Sequence, residues 1–271
     1  MLDKELRSMI GEVKDGRMDR RAFITRMAAV GLTAPLANQI LALGGVAMAE
    51  GASTYKPTKR GGGGALKLLW WQGPTLLNPH FATGTKDQDG SRLFYEPLAC
   101  WDPDGNMKLV LATEIPSIQN GLLAADGKSV TWKLKPGVKW HDGKPFTADD
   151  IVFTWQYIKD PATAAVTIAS YRDITVEKID DLTVKITFPK PTPFWADAFV
   201  GAPNTILPKH LFARLHGQQV TGSADQPLSS RDRSLQIRRV QAGRSHPRRD
   251  QSRLSHGQPA LLRYDRDEGR R

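Results

Sequence analysis

Apolar and polar residues alternate through Val130, Thr131, Trp132, Lys133 and Leu134, a period of two that predicts a strand with one wet face over 130–134. Pro136-Gly137 turns the chain, and Val138-Lys139-Trp140 resumes the alternation before Asp142-Gly143. That pair suits a tight turn, because glycine takes positive φ without strain. The period then changes. Ile151, Val152, Trp155 and Ile158 recur at helical spacing, and Thr147 stands three residues ahead of Asp150, the arrangement of a capping box. A helix is expected over 148–159, stopped by Pro161. A second alternation sets Val184, Ile186 and Phe188 against Lys185 and Thr187. It predicts a strand over 182–188, paired with one over 174–176 around Asp180-Asp181. Earlier, the apolar run 66–70 reads as a short buried strand, broken by Gln72-Gly73-Pro74. Strands mixed with few helices indicate an α/β or α+β lobe, and the absence of any repeat of roughly 20–50 residues excludes solenoids and propellers.

The two ends differ from this body. Arg20 and Arg21, followed by Phe23, precede a run of small and apolar residues from Met27 to Met48. Ala47 and Ala49 supply the small residues of a cleavage site before Glu50. Charged start, apolar stretch and small-x-small end together describe an export signal. The paired arginines resemble the twin-arginine type, a receptor-read address for the Tat export machinery. Gly31, Pro35, Asn38 and Gln39 interrupt the apolar stretch, which makes it a poor membrane span. Residues 1–49 are therefore read as a leader cleaved near Ala49, residues 50–65 as a flexible glycine-rich lead, and the mature chain as periplasmic. A lone cysteine, Cys100, suits that oxidising compartment and rules out an internal disulfide framework.

The formal net charge of +10 suggests a nucleic-acid partner until it is located. Residues 214–271 hold 13 arginines, no lysine and 6 acids, so most of the excess lies there. All seven tryptophans and all nine phenylalanines lie before that point. Only 13 of the tail's 58 residues are hydrophobic, too few to offset the entropy of ordering a core. No nucleic acid is expected as a partner of the body. Binding of nucleic acid or an anionic surface through the arginine-rich tail is the alternative function, and a steep fall of affinity with salt would mark it.

Catalytic patterns are missing. There is no G-x-S-x-G, phosphate-binding loop, H-E-x-x-H or C-x-x-C. His80, His141 and His210 stand far apart without a second ligand at metal-binding spacing, so they read as structural or surface residues. His141-Asp142 reads as turn hydrogen bonding rather than an acid–base pair. Asp149 and Asp150 read as acids meeting a helix dipole. No enzyme, cofactor or metal is expected.

The stretch 130–155, V-T-W-K-L-K-P-G-V-K-W-H-D-G-K-P-F-T-A-D-D-I-V-F-T-W, resembles the signature of the family 5 solute-binding proteins of ABC importers. Leu77-Asn78-Pro79-His80, Tyr95-Glu96-Pro97-Leu98, Leu111-Ala112-Thr113-Glu114 and Leu207-Pro208-Lys209-His210 resemble further landmarks of that family, in order, over 66–213. The resemblance implies an α/β fold of the class II periplasmic-binding-protein type that binds peptides. It also implies that the chain is incomplete, with a first lobe and an extra small lobe but without the second, ligand-closing lobe. It implies a peptide or small-molecule solute, capture by hinge closure, and delivery to the membrane permease subunits of an ABC transporter. By the same resemblance the loop after the first strand points toward the ligand cleft. Trp71 and Gln72 are thus the ligand-binding candidates, with Tyr95 behind them.

The resemblance fades near Arg214. Read one base later, legal GC-rich codons for 230–270 permit V-G-T-G-P-Y, then N-P-D-Y, then R-P-Y-F-D-T-I, a pattern similar to the family's next segment. The tail is therefore expected to be a frameshifted, disordered reading, and the chain a truncated member that folds poorly and holds no solute tightly.

Overall fold

The structure, a computed structural model, describes residues 2–48, 65–67, 70–215 and 261–263. Three helices come first: α1 (Leu2–Lys14), α2 (Arg20–Ala29) and α3 (Ala34–Leu43). The Asp19 carboxylate accepts from the Ala22 amide to start α2, and Thr33 accepts from the Leu36 amide to start α3, with Pro35 in its first turn. Both devices satisfy amide donors that have no partner inside the helix. Met18, Phe23, Met27, Ala37 and Leu41 close a small core among these helices.

β1 (Ala65–Lys67) corresponds to the start of the strand expected over 66–70. It pairs antiparallel with β7 (Leu261–Arg263), Leu66 opposite Leu262. The rest of the tail, residues 68 and 69, Ala49, and 50–64 lie outside the described residues.

In the body, α4 (Thr85–Ser91) is followed by a hairpin that sequence reasoning missed, β2 (Ala99–Trp101) with β3 (Met107–Leu109). Its turn is built by Asp102, which accepts from the amides of Asp104 and Asn106, and by Gly105 at φ +78°. The strand read over 130–134 is β4 (Ser129–Lys133), and the helix read over 148–159 is α5 (Ala148–Lys159). Thr147 and Asp150 form the capping box in full. The strands read over 174–176 and 182–188 are β5 (Thr175–Asp180) and β6 (Thr183–Thr187). They form a three-stranded antiparallel sheet in the order β4-β6-β5, with Trp132 opposite Val184 and Val130 and Val176 opposite Ile186. The segment 138–140 is no full strand. It makes one bridge, Lys139 to Pro145, around the Asp142-Gly143 turn.

The period-two residues Val130, Trp132, Val184 and Ile186 are all fully buried, and Ile151 and Ile158 of α5 join them in the main core. A 12-residue helix is marginal alone, so this apolar contact rather than propensity holds α5 in place. Trp132 meets Trp195 with ring centroids 6.2 Å apart. A second core gathers Phe81, Phe94, Tyr95, Phe153, Tyr157, Leu207 and Phe212 on another side of α5. The short helix α6 (Lys209–Phe212) supplies Phe212 to it.

Candidate functional site

The loop after β1 is fixed at its far end. Asp87 of α4 accepts from the amides of Thr75 (2.6 Å) and Leu76 (3.1 Å) and from Lys86 Nζ (2.6 Å). Burial works to raise the Asp87 pKa, but Lys86 and the two amides outweigh it and hold the carboxylate below its usual range. Pro74 lies so close to Gly90 that a Cβ there would meet it at 2.7 Å. The loop is therefore clamped at 74–76, while Trp71 is 77% exposed and Gln72 is exposed beside it. A large aromatic held in water by an anchored loop is a ready apolar contact with low ordering cost. Trp70 is half-buried.

Tyr95 does not join them. It is 1% exposed, within the second core, and its ring packs edge-on to Phe212. Burial pushes its hydroxyl pKa up, and that hydroxyl has no hydrogen-bond partner. The nearby Tyr157 hydroxyl, also unpartnered, is pushed up to about 12 by burial. Tyr95 is thus a ring of an aromatic cluster and is not displayed in solvent as Trp71 is.

The family landmarks become joints between distant segments. His80 is fully buried. Its Nε2 donates to Thr205 O (2.9 Å) and its Nδ1 accepts from Thr167 Oγ1 (2.9 Å), the neutral tautomer. Burial pushes its pKa down to about 4, against a smaller opposite pull from Thr205. Leu98 O receives the amides of Val110, Leu111 and Ala112. Asp150 accepts from the amides of Thr147 and Lys209 and from Trp140 Nε1. Burial leaves its pKa raised despite those donors. Asp142 pairs not with its neighbour His141 but with His210 Nε2 at 2.6 Å. Asp149 takes Lys178 (2.7 Å) and Lys209 (3.5 Å). The signature stretch is thus clasped to the Leu207–His210 landmark by three carboxylates. Sequence reading gave Asp149 and Asp150 only their local role, and nothing in local spacing announces the partner dozens of residues on.

No group of three or more metal-ligating side chains occurs among the described residues, and none of their helices is long and apolar enough to cross a membrane. In the N-terminal segment Phe23 is fully buried and Arg21 exposed. Arg20 is half-buried, with its guanidinium donating to Ala47 O and reaching Asn38 Oδ1. Ala47 itself is exposed.

Residues 109–231 match the family described as bacterial extracellular solute-binding proteins, family 5 middle. Over that span the chain is similar to the family 5 solute-binding proteins. The periplasmic oligopeptide-binding protein OppA of Escherichia coli K12 is 30% identical over 152 residues, 49% of this chain and 26% of that protein. The oligopeptide-binding protein AppA of Bacillus subtilis 168 is 33% identical over 145 residues, 52% of this chain and 25% of that one. The chain therefore spans about a quarter of the length of these curated relatives. Among solved structures, the periplasmic binding protein AgaA of Agrobacterium tumefaciens R10, in complex with agropinic acid, aligns with a TM-score of 0.50 at 23% identity. That alignment covers 63% of this chain and 32% of AgaA. The chain thus shares the fold of part of that periplasmic binding protein.

Proposed function

We propose that the chain derives from the extracytoplasmic solute-binding component of an ABC importer, one that holds a peptide-type solute between two lobes and passes it to a membrane permease. The observation that carries this reading is the family match over 109–231, joined to a clamped loop that holds Trp71 and Gln72 in solvent where a solute could be met. Differential affinity supplies the mechanism: a solute that touches both lobes only when they are closed shifts the population toward closure. Residues 1–49 act as a twin-arginine leader, cleaved after Ala49, and deliver the protein to the periplasm.

The arginine-rich segment from about 217 is in this reading an out-of-frame rendering of the family's next segment. The family match extends to residue 231, past the composition break at 214, so the decisive DNA runs from the codon of Lys209 to that of Arg231. One extra or missing base there, relative to a related gene, is the expected finding. The product of the restored frame should bind short peptides at micromolar affinity or better, followed by tryptophan fluorescence. Trp71→Ala should weaken that binding roughly tenfold, the loss of about 1.4 kcal/mol of contact. An uninterrupted frame, or a restored product without peptide affinity, overturns the reading.

A further inference from the structure

The leader is seated on the body. Asn38 of α3 is fully buried and its Nδ2 donates to Gly105 O in the β2–β3 turn at 2.8 Å. Gln39, 3% exposed, accepts the Ala196 amide on Oε1 (3.1 Å), while its backbone oxygen faces Trp195 Nε1 (3.5 Å). Gln119 Nε2 donates to Gly45 O at 2.6 Å. Ala42 and Met48 are built into the main core. The fit is close at Gly105, where a Cβ would meet Ala34 at 2.6 Å.

The same segment holds the export address. Phe23 is enclosed by Met18, Met27, Ala37 and Leu41, the last two on α3. Arg20 spends its guanidinium on Ala47 O, beside the cleavage site, and on Asn38 Oδ1. The Asn38 amide therefore ties the address to the body: its nitrogen grips Gly105 and its oxygen meets Arg20.

We propose that residues 20–48 form an intramolecular latch, in which α3 docks across the β2–β3 turn and Trp195-Ala196 and keeps Arg20 and Phe23 from an export receptor until the latch opens. This rests on the reading of residues 1–49 as an export leader. A receptor that reads paired arginines and the following phenylalanine sees only the open state, so its apparent affinity is reduced by the open fraction. The anchors suit a reversible device. Each neutral hydrogen bond contributes about 0.5–1.5 kcal/mol net, because water replaces it on opening, and such local openings cost less than global unfolding.

The full-length precursor tests this by hydrogen exchange, trypsin and secretion. Asn38→Ala removes both the donor to Gly105 and the oxygen that faces Arg20. Gly105→Ala attacks the latch from the body and leaves the address untouched. In both variants the α3 amides should exchange at least tenfold faster, with β4, β5 and β6 unchanged. Trypsin should cut at Arg20-Arg21 at least tenfold faster, and the precursor should be exported faster. If α3 amides in the unaltered chain exchange as fast as in the variants, there is no latch. If the latch opens and export does not quicken, it hides nothing. Replacing Arg20 and Arg21 together by lysine tests the underlying leader reading separately. Export indifferent to that change overturns the address, whatever the exchange data show.

Discussion

Two helices of similar length, α5 with 12 residues and α3 with 10, are both started by a threonine cap, yet they are held to the molecule by different forces. α5 presents Ile151, Phe153, Tyr157 and Ile158 to two apolar cores. α3 inserts two amide side chains, Asn38 and Gln39, into partners on the body. Apolar burial is non-directional and grows with area, so α5 is fixed strongly as part of the fold. Hydrogen bonds are directional and modest in net value, so beside the apolar contacts of Ala37, Leu41 and Ala42 they set the register of α3 on the body. The contrast is between an element held chiefly by apolar area and one whose seat also depends on two buried amides.

The largest test of that contrast removes what both helices share. Trp132 packs on Trp195, which in turn faces Gln39. Trp132→Ala should cost about 3–5 kcal/mol, all of it packing, since the Trp132 indole nitrogen has no hydrogen bond to lose. Denaturant unfolding should show it, and α3 should lose protection together with the sheet. Acid should divide the two helices. His80 is neutral in the fold with its pKa near 4, against about 6.5 when unfolded. The unfolded chain therefore binds more protons between those values, and stability falls as pH drops from about 6.5 to about 4, by on the order of 3 kcal/mol. His80→Asn should flatten that part of the stability–pH curve, while α3 docking, anchored by amides that do not titrate, should hold through it. The smallest effect sharpens the contrast from the other side. Thr147→Ala should loosen the start of α5 by about 1 kcal/mol, seen as a lower denaturation midpoint, with exchange in α3 unchanged.

What could be read in advance follows the same division. The period-two and helical runs between Val130 and Phe188 give the sheet and α5, because the burial of alternate residues is written into neighbouring positions. Asn38 and Gln39 read as interruptions of an apolar stretch, whereas the fold uses them as anchors. Their partners are backbone groups 67 and 157 positions away, which no local pattern contains. The burial of Tyr95 has a related cause: the ring packed edge-on to it belongs to Phe212, more than a hundred residues later. Trp71 is singled out only through the resemblance, and the clamp of its loop by Asp87 has no local signal, since the carboxylate comes from a following helix. The hairpin at Ala99–Leu109 has strands of three residues each, too short to establish a period.

The ring of His80 also sets an order on synthesis. Its Nε2 finds its acceptor on Thr205, 125 residues further along the chain. At about 5–20 residues per second a ribosome needs on the order of 6–25 seconds to deliver that residue. Until then the His80 ring lacks that acceptor, although Thr167 and Tyr171, its other neighbours, are already made. The domain thus closes from its late end, when the arriving Thr205–Leu207 strip captures a histidine made long before.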